Sequence, residues 1–123
     1  MTRLDELREF AVTIREEISE LEEAEKKPIR LALIGKCFKY RNCYSCPEKP
    51  SDYWYLYLKV LRIKGANAIV EEFQCDKYGE IQIKPAKEIY YPENTLKMYE
   101  LIPDSEYKKA RVQMAKKLKN WIG

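Results

Sequence analysis

Apolar and polar positions alternate with period two through Tyr53–Lys64, YWYLYLKVLRIK. Trp54, Leu56, Leu58 and Val60 fall on one side. Tyr53, Tyr55, Tyr57, Lys59, Leu61 and Ile63 fall on the other. Aromatic and branched residues in that alternation predict a long strand that packs on both faces. Such a strand needs neighbours on its edges and cover on its faces. The rest of the chain is read as that pairing and cover.

Before this strand the period is helical. Leu4, Leu7, Ala11, Ile14, Ile18 and Leu21 recur at spacings of three and four, a coiled-coil seam, with Phe10 widening it. Thr2 or Asp5 can cap the start. The seam needs an apolar partner, either the chain's own β domain or another copy of the helix; the narrow stripe and charged flanks point to the second. Lys26–Lys27–Pro28 predicts a break or kink near residue 25, with a short second helical stretch from Ile29 to Ile34 and a stop at Gly35.

Further strands follow. Lys36–Arg41 is the first, and Asn42–Asp52, with two prolines and no periodicity, is a loop. Residues 64–67 turn into a third strand over 68–75. Asp76–Gly79 reads as a hairpin loop with Gly79 left-handed. A fourth strand covers 80–84 with Ile81 and Ile83 inward, and 88–91 is a separate short piece. Residues 91–95 form a polar loop, and 96–102 a fifth strand. Asp104 or Ser105 then caps a C-terminal helix that reaches Trp121. Its apolar face is Tyr107, Ala110, Met114, Leu118 and Trp121. The fold class is α+β: an N-terminal helix, a small, strongly bent antiparallel sheet or partly open barrel, and a C-terminal helix.

The 123 residues suit one domain, with 1–34 as a helical oligomerisation segment, 35–102 as β core and 103–123 as a helix. No apolar run is long enough to cross a membrane, and the charged N-terminus lacks a signal core. An intracellular protein with reduced cysteines is expected. The net charge of +3 conceals a split. Residues 1–27 hold five basic and nine acidic residues, whereas 104–123 hold six basic and two acidic. So modest an excess disfavours nucleic acid as partner and suits a small anion or an oppositely charged neighbour.

The chain contains no histidine, which removes the commonest acid–base group and metal ligand. Cys43–Tyr–Ser–Cys46 is half a zinc motif, and only Cys37 and Cys75 remain to complete it, so neither metal nor cofactor is expected. No glycine-rich phosphate loop and no nucleophile elbow is present, and a non-enzymatic binding protein is the expectation. The best candidate site joins the loop Tyr91–Thr95 to the helix start Tyr107–Arg111. Arg111 and Lys108 suit phosphate oxygens, and Asn94 can pair with an adenine edge or a ribose hydroxyl. Tyr91 and Tyr107 complete the set, and a helix N-terminus offers N–H groups to an anion. One strand separates loop and helix, so they meet most easily across two protomers. The tyrosine row of 53–57 is the next candidate, as a stacking platform.

Gly35–Ile63, GKCFKYRNCYSCPEKPSDYWYLYLKVLRI, followed by Glu71–Ile81, EEFQCDKYGEI, resembles the phage-encoded Thoeris anti-defence sponge proteins of the first type. The resemblance spans roughly the middle two-fifths of the chain. It implies a protein that binds the cyclic ADP-ribose isomer made by bacterial TIR-domain defence proteins and holds it uncleaved in the host cytoplasm. It also implies a homo-oligomer, a dimer or multiple of dimers, with pockets where protomers meet. It identifies no binding residues here. The competing readings are a small phage nucleic-acid-binding protein that uses the sheet aromatics, and a structural adaptor assembled by the seam.

Overall fold

A computed structural model describes residues 2–43 and 52–122. The elements in order are α1 (Arg3–Leu31), β1 (Cys37–Cys43), β2 (Tyr53–Lys64), β3 (Asn67–Cys75), β4 (Ile81–Tyr90), α2 (Pro92–Thr95), a 3₁₀ turn (Leu96–Met98), β5 (Glu100–Ile102) and α3 (Asp104–Ile122). The strands form one antiparallel sheet in the order β4-β3-β2-β1-β5. It stays open, so the sheet alternative holds and the barrel does not. β2 has the length its alternation predicts.

Both faces of β2 are covered, because each carries apolar residues. On one face Leu56, Leu58 and Val60 pack with Phe38, Ala68, Val70, Ile89 and Leu96. On the other, Phe73 and Tyr57 pack with Cys37, Ile102 and the α3 residues Tyr107, Ala110 and Met114. The apolar stripe of α3 is therefore spent on the sheet, as its spacing predicts; Trp121's side chain lies outside what the structure describes. Pro103 starts α3 by accepting from the N–H groups of Glu106 and Tyr107.

Two bulges reassign faces that strict alternation would misplace. Pairing runs Val60↔Val70, then Arg62↔Ile69, so Leu61 is an extra residue on β2. Ile63 consequently joins the Leu58 side rather than the tyrosine side. On β4, Glu72↔Lys84 is followed by Val70↔Lys87, which leaves an extra residue at Pro85–Ala86. Proline has no N–H for the ladder, and an edge-strand bulge accommodates it. The predicted fourth strand and separate piece are thus one strand. Ile81 and Ile83 face α3, with Ile83 still 44% exposed, whereas Ile89 is buried on the opposite face. The predicted fifth strand is shortened to Glu100–Ile102, because Leu96–Met98 turns as 3₁₀ to drop Leu96 into the core. The polar loop 91–95 contains a helical turn.

The largest correction concerns α1, which runs unbroken through Pro28. Proline removes one intrahelical hydrogen bond. A clasp across it compensates: Arg30, 3% exposed, donates to Glu23 one side of the proline and to Glu93 of α2. Glu23 and Arg30 are two turns apart and share a face. There is accordingly no second helical stretch; Gly35, at φ +82°, turns the chain into β1. At the other end Thr2 caps α1, its Oγ1 accepting from the Asp5 N–H in a reciprocal box. The seam does not pack on the chain's own β domain. Residues 2–13 and 15–25 are all exposed, and only the last turns of α1 are tethered.

Candidate functional site

Arg111 and Tyr107 meet on one carboxylate. They lie four apart on α3, one turn, and both reach Glu71 on β3. The buried Tyr107 hydroxyl donates to Glu71 Oε1 at 2.6 Å, and Arg111 Nε donates to the same oxygen at 2.9 Å. Arg111 NH2 lies 3.5 Å from Oε2. Glu71 thus holds the Nε edge of the guanidinium, and NH1 has no partner among the described residues. Burial pushes the Glu71 carboxyl up, but the bonds from Tyr107 and Arg111 outweigh it and hold it below the ordinary range. Burial, and then the bond to Glu71, pushes the Tyr107 phenol far above its usual value.

Lys108 sits beside this group, its Nζ 2.9 Å from Asp104 one turn earlier. Lys59 of β2 reaches the same carboxylate at 3.5 Å. Three cations, Lys59, Lys108 and Arg111, therefore face two carboxylates, Glu71 and Asp104. Exchangeable surface pairs of this kind contribute little stability, so an incoming anion can displace them. The Arg111 and Lys108 side chains are exposed.

Tyr91 and Asn94 lie elsewhere in the protomer. Tyr91 takes φ 47° and ψ 66°, the only non-glycine residue at positive φ among those described. The loop holds it there: its carbonyl accepts from the N–H groups of Asn94 and Thr95, and the Thr95 hydroxyl donates to the Tyr90 carbonyl at 2.6 Å. Tyr91 and Asn94 are exposed, on the loop whose Leu96 enters the Leu58 face of the sheet. Tyr107 belongs to the core on the opposite face. One protomer brings Tyr107, Lys108 and Arg111 together; it does not bring Tyr91 or Asn94 to them.

The tyrosine row forms a second arrangement. Tyr53, Tyr55, Tyr57 and Phe73 follow one another with ring centroids 6.1, 6.4 and 5.5 Å apart, and Tyr107 ends the ladder 5.4 Å from Phe73. Arg41 lies over Tyr53 and Lys39 over Tyr55. Beside them a groove of about 400 Å³ opens along the β1 edge, lined by Lys39, Tyr40, Arg41, Tyr55, Met98 and Glu100. Lys39 is also paired with Glu106 and Glu100 at 3.4 and 3.7 Å. Burial lowers its affinity for the proton, but those two carboxylates outweigh that and raise it.

Sequence reasoning missed Glu71. It and its neighbour Glu72 point to opposite faces of β3: Glu71 reaches α3, and buried Glu72 meets Lys84 and Lys87. Cys37 and Cys43 occupy opposite ends of β1, roughly 20 Å apart at strand rise. Cys46 lies outside the described residues. Among those described, no group of cysteines and carboxylates is arranged to hold a metal. Among the described residues, no helix is long and apolar enough to cross a membrane. Compared with protein-family models, curated proteins and solved structures, the chain finds no match.

Proposed function

We propose that this chain is a non-enzymatic phage binding protein that sequesters the cyclic ADP-ribose-type signal of TIR-based Thoeris immunity in the infected cell. It does so without cleaving the ligand, and as a homo-oligomer. The observation that supports this reading is the guanidinium of Arg111, oriented by Glu71 with its NH1 side open beside Lys108. That arrangement suits a pyrophosphate. The Glu71 carboxylate is engaged by Tyr107 and Arg111, so its role here is to hold the arginine. Tyr91 and Asn94 of a second protomer supply the ring and amide for adenine and ribose.

The test is calorimetry with a cyclic ADP-ribose isomer on wild type and Arg111→Ala. Loss of one charge-assisted phosphate contact, on the order of 1.5–3 kcal/mol, weakens affinity about ten- to a hundredfold. A folded Arg111→Ala that binds like wild type overturns the site.

A second reading, binding of single-stranded nucleic acid, draws on Tyr53 and Tyr55 with Arg41 and Lys39 above their rings. It is distinguished by an affinity that falls steeply with salt and by loss of binding in Tyr55→Ala.

A further inference from the structure

We propose that the exposed seam of α1 pairs with α1 of a second copy in an antiparallel coiled coil. This deepens the assembly invoked above and needs no ligand. The seam is regular and unspent: Leu4, Leu7, Ile18 and Leu21 are 56, 53, 49 and 65% exposed. It extends roughly 26 Å from Leu4 to Leu21 at helical rise. The other long helix of a neighbouring copy is a poor occupant. Met114 and Tyr107 of α3 are already buried on the sheet, which leaves Val112 as its one large exposed apolar residue among those described.

A second α1 fits, and its direction follows from charge. Residues 16–25 carry Glu16, Glu17, Glu20, Glu22, Glu23 and Glu25 with no cation. Residues 2–15 balance Arg3, Arg8 and Arg15 against Asp5, Glu6 and Glu9. A parallel pair in register would lay the two glutamate segments side by side, where like charges oppose association. The antiparallel pair sets each of them against the partner's first nine residues, where Arg3 and Arg8 nearly balance Asp5, Glu6 and Glu9. The same orientation has a self-complementary register. Leu4 meets the partner's Leu21, Leu7 meets the partner's Ile18, and Ala11 meets the partner's Ile14. Every seam position then has an apolar neighbour and none is left over. Small Ala11 opposite a larger isoleucine lets the helices approach at the centre.

Light scattering of the full chain without nucleotide, at micromolar concentration, is expected to give two chains of 14.7 kDa or an even multiple. Ile14→Glu with Ile18→Glu is expected to lower that mass at least twofold. Circular dichroism of the β core should be unchanged, since neither side chain enters that core. Orientation is read by photo-crosslinking from benzoylphenylalanine placed at Arg8 on the flank of the seam. The antiparallel pair places adducts on the tryptic peptide 16–26 of the other copy. Adducts between two copies of the peptide spanning residue 8 would mean a parallel pair and overturn the proposal. A monomeric wild type, or an oligomer unaffected by the double substitution, overturns it too. Because no nucleotide is present, failure here is separable from failure of the sequestration reading.

Discussion

Arg30 and Glu93, 63 residues apart in sequence, meet in a two-point ion pair: Nε donates to Oε2 at 3.0 Å and NH2 to Oε1 at 2.9 Å. Both side chains are nearly buried, at 4 and 9% exposure. Glu23 takes NH1 at 2.9 Å, so one guanidinium joins α1 on one side of Pro28 to α2. Removing one partner of such a pair strands the other charge. Glu93→Gln is therefore expected to destabilise the fold by about 3 kcal/mol, read as a lower denaturation midpoint at unchanged slope. Arg30→Lys should not rescue the interaction, because an ammonium cannot span two carboxylates as a fork does.

The same clasp sets a pH dependence. Hydrogen bonds from Arg30 hold the Glu93 and Glu23 carboxyls below the ordinary range. Unfolded, a glutamate titrates at about 4.3. The clasp's contribution is therefore complete above that pH and is lost as pH falls through the lower folded values. Urea melts of wild type and Glu93→Gln should differ by a constant amount from pH 6 to 8. The difference should shrink below about pH 4.

Much of this was legible in the chain, and the failures have common causes. β2 and the apolar face of α3 were readable because local periodicity decides them. Pro28 misled because a proline's local effect was overridden by Arg30 and Glu93, a pairing that sequence distance hides. Ile63 was placed on the wrong face, and β4 was divided in two, because single-residue bulges at Leu61 and Pro85–Ala86 shift parity without a strong local signature. At the candidate site Lys108, Arg111 and Tyr107 were readable as one helix start. Glu71, 40 residues from Arg111, was not, since nothing local distinguishes an exposed strand glutamate from one that holds an arginine.

Tyr107→Phe isolates the hydroxyl that Glu71 shares. The ring stays in the Phe73 core, and Glu71 keeps Arg111. The expected cost is about 1–2 kcal/mol in chemical denaturation. The Glu71 carboxyl, relieved of one donor, should titrate higher than in wild type when followed by NMR. An unchanged Glu71 titration would mean that Tyr107 does not set its charge.

Leu58 is 1% exposed at the centre of the core facing α2. Leu58→Ala removes packed volume on the strand that both neighbours depend on. It should cost about 3 kcal/mol, with Leu61→Ala, exposed on the β2 bulge, costing well under half as much in the same assay.

Sequestration without cleavage is tested most directly by what the protein gives back. The chain is incubated with cyclic ADP-ribose isomers, separated from free nucleotide, heated to unfold it, and the released material is weighed by mass spectrometry. Recovery of at least one isomer at its original mass, in proportion to the protein, is the predicted result. A changed mass would identify an enzyme, and no nucleotide retained from any isomer would contradict the account.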